Sequence, residues 1–488
     1  MIKLNNKTKR STELLAIACV LLLAGCSSLA PDYSRPELAV AVANEWDDKP
    51  GEQTLGLSNV QAIEVPWQSF IKDQRLAQII ELALTNNRSL RQTLADVEAA
   101  RATYRISRAD LVPQLDLGLS GSRTQTSSGG IANSYEAEAG LSGYEIDLFG
   151  KNSSLSDAQM QAYLASAETA KAAKISLISE IANSWLTLAA DQSALSLAKE
   201  TAANAKRTMG ITNKRLQLGV DSRIDAVNAQ TIYHSARSDI TNYSTQVAQD
   251  LNALRLLVGE QFEQNLLPSA LPDSKTLVTD VPAGLSSALL LQRPDVLAAE
   301  HNLKSANANI GVARAAFFPT LSLTTTGGLA SSVLADIFSG GASKIWTIAP
   351  SLTLPIFDGG ANKANLAYSK AIQQKYVAAY EYAIQNAFAE VADALARRAT
   401  IQEQLDAERS LVAAATRSYQ LSFARYKGGV DSFQNALAAQ RTMYSAKQSL
   451  IITRQADLDN RITLYRVLGG GLAKNEAVLE QALGSASN

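Results

Sequence analysis

Apolar residues recur along this chain with two different periods. From Trp67 to about Leu111 they fall at Leu76, Ile79, Ile80 and Leu84, then at Leu94 and Val97 beyond Asn86-Asn87. That is the spacing of one helix face, and Pro113 ends the run. The period then becomes two. Leu115, Leu117 and Leu119 alternate with Asp116, Gly118 and Ser120, and a Ser/Gly-rich stretch from Ser122 to Asn133 reads as a loop. Tyr135, Ala137, Ala139 and Leu141 then alternate with Glu136 and Glu138. After Ser142-Gly143 the apolar set continues at Tyr144, Ile146 and Leu148, displaced by one residue, which predicts a bulge at Gly143. The pattern is a β-hairpin with one apolar and one polar face.

From about Ser153 to Leu218 almost nothing breaks a helix. Leu177, Ile181, Leu188, Leu195, Ala198, Ala202, Ala205 and Met209 form a coiled-coil stripe. Some 65 residues make a helix about 95 Å long, roughly three times the hydrocarbon core of a bilayer. A partner helix follows from about Arg223 to Val258 and ends at Gly259, and Gln261 to Pro282, with three prolines, reads as a linker. The whole order then recurs. Arg293 to Ala316 is helical, and Phe318-Pro319 matches Val112-Pro113. Leu321 and Leu323 begin a strand, Gly327 to Lys344 reads as a loop, and Trp346 to Ile356 alternates again. A second long helix runs from about Asn362 to Tyr426 and returns to Leu468, where Gly469-Gly470-Gly471 stops it.

Between the two helices of each pair lies the same turn. Arg215-Leu216-Gln217-Leu218-Gly219-Val220-Asp221-Ser222 returns as Arg425-Tyr426-Lys427-Gly428-Gly429-Val430-Asp431-Ser432 (429 − 219 = 210). In each, glycine suits the left-handed residue that ends one helix, and Asp-Ser suits the cap of the next. Both are read as tips of helical hairpins.

Composition narrows the function classes. Of 488 residues, 46% are hydrophobic and only 6% aromatic, with a net charge of −1, a balance that argues against a nucleic-acid partner. Helices rich in small residues bury little apolar area each and need neighbours to be stable. Cys19 and Cys26 are the only cysteines and His234 and His301 the only histidines, which leaves no disulfide framework, imidazole metal cluster or histidine triad. No nucleophile elbow, zinc motif or phosphate loop occurs. No metal or cofactor is expected, and the chain is not read as an enzyme. Asp147 and Asp358 sit at strand ends and read as caps, and His234 reads as a solvated helix residue. Trp67, Trp185 and Trp346 suit either core or membrane-interface positions.

The N-terminus reads as an address. Lys3, Lys7, Lys9 and Arg10 precede a short apolar run from Leu14 to Ala24, which is too short to span a bilayer. It ends in Leu23-Ala24-Gly25-Cys26, which resembles a bacterial lipobox in which Cys26 is lipidated. In enteric-type sorting, an Asp after the cysteine resembles an inner-membrane retention signal. Ser27 stands there and favours the outer membrane. The division expected is a signal peptide at 1–25, a lipidated arm at 26–66 and a first repeat at 67–260, with its β-hairpin at 113–148 and helical hairpin at 153–258. A linker at 261–283 leads to a second repeat at 284–471, with its β-hairpin at 319–357 and helical hairpin at 362–468, and a tail follows at 472–488.

The strands constrain the rest. No later stretch reaches 18 consecutive apolar residues, so any membrane crossing is by strands. Four strands per chain do not close a barrel, and an open edge in lipid is costly. Several chains must pool strands, and three chains would supply about twelve, within the bacterial range. The lumen would be polar, with Glu136 and Glu138 facing it. The fold class is mainly α with a transmembrane β part, and long helices continue the tube as an α-barrel.

The chain is similar to the TolC-like outer membrane factors, in particular the OprM/NodT-type efflux lipoproteins. The resemblance rests on the lipobox with Pro31-Asp32-Tyr33-Ser34-Arg35-Pro36, and on Glu145-Ile146-Asp147-Leu148-Phe149-Gly150-Lys151. It rests also on Arg293-Pro294-Asp295-Val296 with Ala298-Ala299-Glu300, on Ala313-Arg314-Ala315-Ala316-Phe317-Phe318-Pro319, and on Leu354-Pro355-Ile356-Phe357-Asp358-Gly359-Gly360. The two Gly-Val-Asp-Ser tips and Leu468-Gly469-Gly470-Gly471 complete it. The resemblance implies a homotrimer with a twelve-stranded barrel, anchored in the outer membrane and extending into the periplasm. It implies docking of the tips, residues 215, 219–222, 425 and 428–432, to a periplasmic adaptor protein and an inner-membrane pump. The function implied is a passive exit duct for small molecules such as drugs. A protein-secretion duct of type I kind stays open as an alternative. So does a non-channel coiled-coil lipoprotein, though it leaves the amphipathic strands unexplained.

One departure bears on gating. The subgroup usually carries Leu-Asp-Ala-Gln-Arg after the second tip, its Asp lining the closed gate, where this chain reads Leu437-Ala438-Ala439-Gln440-Arg441. The gate Asp is Ala438 and the apolar constriction position is Gln434. The first repeat has Val227-Asn228-Ala229-Gln230. Two readings stand: a gate held by Asp431, Asn435 and Arg441, or Ala438 as a neutral packing residue. A ring of acids repels itself and attracts cations. On the first reading Ala438→Asp therefore changes opening frequency and raises divalent-cation block in a planar bilayer, and unchanged opening and block refute it.

Overall fold

The computed structural model describes residues 28–36, 66–125, 127–279 and 287–470. The lipobox with Cys26, most of the arm, part of the linker and the tail lie outside the described residues. No described helix is long and apolar enough to cross a membrane. The chain is mainly helical, with one four-stranded sheet.

The expected first helix is three. They are α1 (Trp67–Phe70), α2 (Gln74–Asn86) and α3 (Arg88–Ala109). Asp73 caps α2 by accepting from the backbone N–H groups of Arg75 and Leu76. Asn87 breaks the next run, its side chain accepting from Leu90 N and donating to Leu257 O. Asn competes with helix by bonding nearby backbone, and the apolar period did not reveal these breaks.

Two strands follow, β1 (Asp116–Gln125) and β2 (Ile131–Ile146), then α4 (Lys151–Gln217) and α5 (Arg223–Val258). Gly259 ends α5 at φ 76°, where a Cβ would stand 2.6 Å from Asn86 O. The segment read as a bare linker carries a 3₁₀ turn at Gln264–Leu266 and α6 (Ser274–Leu277), and Val278 bridges to Ile71. After α7 (Pro294–Ala315) come β3 (Thr320–Ser331), α8 (Leu334–Ser339) and β4 (Ser343–Thr353). The chain closes with α9 (Ala361–Lys427) and α10 (Phe433–Val467). α4 and α9 have 67 residues each, about 100 Å at the α-helical rise.

The described residues divide into two compact units. The first draws on the described residues within 28–36, 96–167 and 298–381, and the second on those within 66–95, 168–297 and 382–470. The first holds the sheet, antiparallel in the order β1-β2-β3-β4. The register shift between Leu141 and Tyr144, with Gly143 at φ 66°, is the predicted bulge. Two expected loops are instead largely strand. β1 runs to Gln125 and β2 starts at Ile131, so only 126–130 remain of the loop placed at Ser122–Asn133. β3 runs through Gly327 and Gly328 to Ser331, where a loop from Gly327 was expected. Small residues usually mark turns, but here they let strands meet closely. A Cβ on Gly140 would lie 2.1 Å from Thr325 O, and one on Gly328 2.1 Å from Ala137 O. β4 lies at 343–353, a few residues earlier than the expected 346–356.

The second unit is organised around the Trp185 end of one core. Ile181, Trp185 and Leu186 of α4 pack with Leu76, Ile79 and Ile80 of α2, Val258 of α5, and Leu458 and Ile462 of α10. Phe70 and Tyr465 stack at 4.0 Å, and Trp185 Nε1 donates to Leu266 O at 3.1 Å. Each such side chain contributes about 1.5–3 kcal/mol on burial. Burial on this part of α4 is wider than the predicted stripe, because Ile178, Ala182 and Ala190 are covered as well. Trp67 and Trp185 are therefore core residues, while Trp346 stands exposed on the sheet. Asp147 accepts from Ser153 N, and Asp358 from Gly360 N and Asn362 N, each at 2.8 Å, so both cap the long helices as expected.

The glycine packing makes a selective prediction. Gly140→Ala and Gly328→Ala should disrupt the β2–β3 pairing and abolish the folded, heat-sensitive gel form. Gly118→Ala and Gly327→Ala, whose Cβ atoms meet nothing within 4 Å, should leave it intact.

Candidate functional site

Two features of the chain could carry transport: the faces of the sheet and the turns between the long helices. The register sorts the strands into faces because alternate residues point oppositely. Asp116, Gly118 and Ser120 pair with Gly140, Glu138 and Glu136, which pair in turn with Thr326, Gly328 and Ala330. β4 continues this face with Ser343, Thr347 and Ser351, interrupted by Ile345 and Ala349. Beyond the bulge Glu145 joins it opposite Ser322, and Lys151 pairs with Glu145 at 3.0 Å. The opposite face carries Leu117, Leu119, Tyr135, Ala137, Leu141, Tyr144, Leu321, Leu323, Leu329, Trp346, Ile348 and Leu352. Leu117, Leu119 and Leu352, with Trp346 and Ile348, are well exposed in the isolated chain, while Leu141, Leu321, Leu323 and Leu329 are half-buried. The sheet thus has one polar, acidic face, which includes Glu136 and Glu138, and one apolar face.

At the first turn, Val220 N donates to Arg215 O at 2.9 Å and Gly219 N to Leu216 O at 3.0 Å. At the second, Val430 N donates to Arg425 O and Gly429 N to Tyr426 O, each at 3.0 Å. This is the Schellman end of a helix, with Gly219 at φ 72° and Gly429 at φ 71° in the left-handed region. Arg215 Nε reaches Asp221 Oδ1 at 3.0 Å, and Arg425 Nε reaches Asp431 Oδ2 at the same distance. The arginine of each turn therefore clasps the aspartate six residues on. Val220 and Val430 project outward, together with Leu218 and Ile224.

The two turns then differ. Ser222 forms a capping box with Asp225, whereas the expected cap at Ser432 makes no side-chain bond. Asn435 takes the place of Asp225, and its amide donates to Asp431 Oδ1 at 2.9 Å. Hydrogen bonds from Arg425 and Asn435 hold the Asp431 carboxyl below its usual range. Tyr426, where the first turn has Leu216, crosses to the other turn and donates to Asp221 Oδ2. The Arg215 guanidinium lies over its ring at 4.9 Å. Burial and the Asp221 contact push the Tyr426 hydroxyl up to about 12. Tyr426 and Phe433 also belong to a small core with Ala205, Ala229, Ile232 and Leu437.

The gate candidates Gln434, Asn435, Ala438 and Arg441 are all exposed along one stretch of α10. Asn228 of α5 donates to Gln434 Oε1 at 3.4 Å. Asp431 and Asn435 meet as described, and Arg441 makes none of these contacts. Farther along the same helices, Tyr444 donates to Asp239 at 2.9 Å and Gln448 to the Tyr243 hydroxyl at 3.2 Å. These long-range pairs, like Tyr426 with Asp221, had no local signal in the sequence.

Among the described residues no group of three or more His, Cys, Asp or Glu side chains could hold a metal. Asp191 is pushed up to about 6 by burial and by the facing Asp250 carboxyl. Asp459 is pushed up to about 6 by burial alone. His234 is exposed against Tyr233, and His301 bonds Gln161 at 2.7 Å.

A sequence model of the family described as "Outer membrane efflux protein" matches residues 79–260 and 285–470. TtgC of Pseudomonas putida, a probable efflux pump outer membrane protein, is 42% identical over 466 residues, covering 94% of this chain and 96% of that one. Outer membrane protein OprJ of Pseudomonas aeruginosa is 40% identical over 462 residues, covering 93% and 94%. The crystal structure of the open state of the MtrE outer membrane channel of Neisseria gonorrhoeae is similar, with a TM-score of 0.82 and 37% identity. It covers 91% of this chain and 99% of that one.

The cross-turn bond is testable. Tyr426→Phe removes a hydrogen bond to a carboxylate, worth about 1.5–3 kcal/mol, so it should lower the helical melting temperature of the purified protein. In that background Asp221→Asn should cost less than it does alone. Additive effects would show that the contact contributes nothing.

Proposed function

The chain belongs to the outer membrane efflux protein family, and on that premise we propose that three copies pool their sheets into one barrel of about twelve strands. The protein is an outer membrane channel of an efflux system, the exit duct through which small molecules such as drugs and other toxic compounds leave. One observation supports the shared barrel above the rest. A four-stranded sheet with an apolar face exposed and, among the described residues, no strand on the outer edge of β1 or β4 is not stable in lipid until its edges are closed. The apolar face, Trp346 included, would then meet lipid, and Asp116, Glu136 and Glu138 would line the water-filled lumen.

The remaining parts of the reading follow from that barrel. The recurrence of two strands, a 67-residue helix, a glycine turn and a return helix supports an internal duplication. Each chain then supplies two staves to an α-helical tunnel. The Schellman turns, with Val220 and Val430 outward and Arg215–Asp221 and Arg425–Asp431 braced behind them, suit docking of a periplasmic adaptor protein. That adaptor joins the duct to an inner-membrane pump. The α10 residues Gln434, Asn435 and Ala438, with Asp431 and Arg441, are the proposed constriction. Acylation of Cys26 would tether the chain to the outer membrane. One acyl chain binds marginally, and a diacylglyceryl-plus-acyl anchor holds stably. No cofactor is needed for passive conduction.

The first test is assembly. Outer membranes extracted in mild detergent should yield a protein whose mass by light scattering is three times that of one chain, with gel mobility that changes on heating. A monomer in the soluble or inner-membrane fraction would overturn the shared barrel.

A further inference from the structure

Two of the sequence motifs quoted above have no part in the duct as described so far. One is Pro31-Asp32-Tyr33-Ser34-Arg35-Pro36 in the arm, and the other is Ala298-Ala299-Glu300 in α7. They meet in space. Glu300 accepts from Arg35 at 2.7 Å and from the Tyr33 hydroxyl at 3.2 Å, although 265 and 267 residues separate the partners. Its side chain is only 4% exposed, and that of Arg35 is 50% exposed. Lys304, one turn along α7, also pairs with Glu300 at 3.0 Å and lies over the Tyr33 ring at 5.2 Å. Burial alone would push the Glu300 carboxyl up, but the bonds from Lys304 and Arg35 hold it below its usual range. Lys304 by itself would neutralise Glu300 from within its own helix. A second cation and a phenol, both from the arm, exceed what a buried acid requires.

The rest of the described arm lies in a groove shaped for it. A Cβ on Gly311 would stand 2.8 Å from Ala30 N, and one on Gly150 would stand 2.7 Å from Ser28 Cα. Asn307 donates to Pro31 O at 2.7 Å, Arg314 to Leu29 O at 3.0 Å, and the Ser28 and Ser154 hydroxyls meet at 2.9 Å. Gly150 lies four residues beyond the end of β2. The arm is therefore fixed from Glu300 to the point where the strand gives way to the long helix.

We propose that Glu300 is the receptor for the N-terminal arm, and that its clamp on Tyr33 and Arg35 fixes where the anchored end of the chain meets the sheet. Cys26 precedes Ser28 by two residues, a chain reach of about 7 Å. The docking stands on its own contacts, while its consequence for anchoring rests on the lipidation proposed above.

The test uses the full protein in mild detergent and chymotrypsin, which cuts after Tyr33. Cleavage within a docked segment requires the segment to open first. The unsubstituted protein should keep its N-terminus, and Glu300→Gln should release the peptide that ends at Tyr33 at least ten-fold faster. Arg35→Ala should do the same, while Arg35→Lys, which restores the charge, should recover most of the protection. Gly311→Ala is the independent variant. Alanine favours a helix interior over glycine, so a gain in cleavage reflects displacement of Ala30 and of Ser154, which itself bonds Ser28 of the arm, and not a weaker α7. Equal cleavage of all variants overturns the clamp. Light scattering of the same samples separates the two proposals: arm protection in a monomer keeps the clamp and removes the shared barrel. Rapid cleavage of an intact trimer carrying Glu300→Gln supports both. The mass of the released peptide reports the lipid, and an unmodified Cys26 overturns the anchoring consequence.

Discussion

Everything in this molecule answers to the unpaired edges of one sheet. In hydrocarbon, a backbone N–H or C=O without a partner costs several kcal/mol. The sheet has two such edges, along β1 and along β4, and its apolar face leaves no doubt which side prefers lipid. Placed in lipid as proposed, such a sheet would need its edges closed by other chains. On that proposal, the requirement for partners would be set by hydrogen bonding before any question of transport arises. The bulge near Gly143 and the tight β2–β3 approach at Gly140 and Gly328 would serve the proposed closure, which needs twist and curvature that flat strands lack.

Helices solve a different problem with different means. α4 and α9 are rich in alanine and serine, so no single pairwise contact along them is strong. Stability is concentrated instead where several elements converge, as around Trp185, and in a smaller cluster around Tyr426 and Phe433. Between such clusters small residues allow close approach without committing much energy.

Much of this was legible in the sequence. The one-residue slip at Gly143 announced the bulge, Gly259 the end of α5, and the twin Gly-Val-Asp-Ser segments their turns, because each is a local signal with one conformational meaning. The strand ends differ from the expected ones where Ser and Gly, ordinarily loop formers, serve the polar face of the sheet and a close strand contact. The breaks at Ile71–Asp73 and Asn87 hid inside an unbroken apolar period. Within the candidate site, the clasp of Arg215 on Asp221 lies within one turn, but nothing in the sequence tied Tyr426 to Asp221 or Arg35 to Glu300. Such bonds between residues hundreds of positions apart depend on the packing of whole helices.

Tyr426 has a consequence for symmetry. The two turns share a backbone and a clasp, and three chains would present six of them. Were they equivalent, a partner could grip the ring with six identical hands. The tyrosine supplies a hydroxyl to one aspartate only, and its counterpart Leu216 returns nothing. The two turns of one chain are therefore unlike knobs, Asp221 held by Arg215 and Tyr426 and Asp431 by Arg425 and Asn435. If three chains assemble as proposed, a partner touching all six turns would meet the two kinds in alternation.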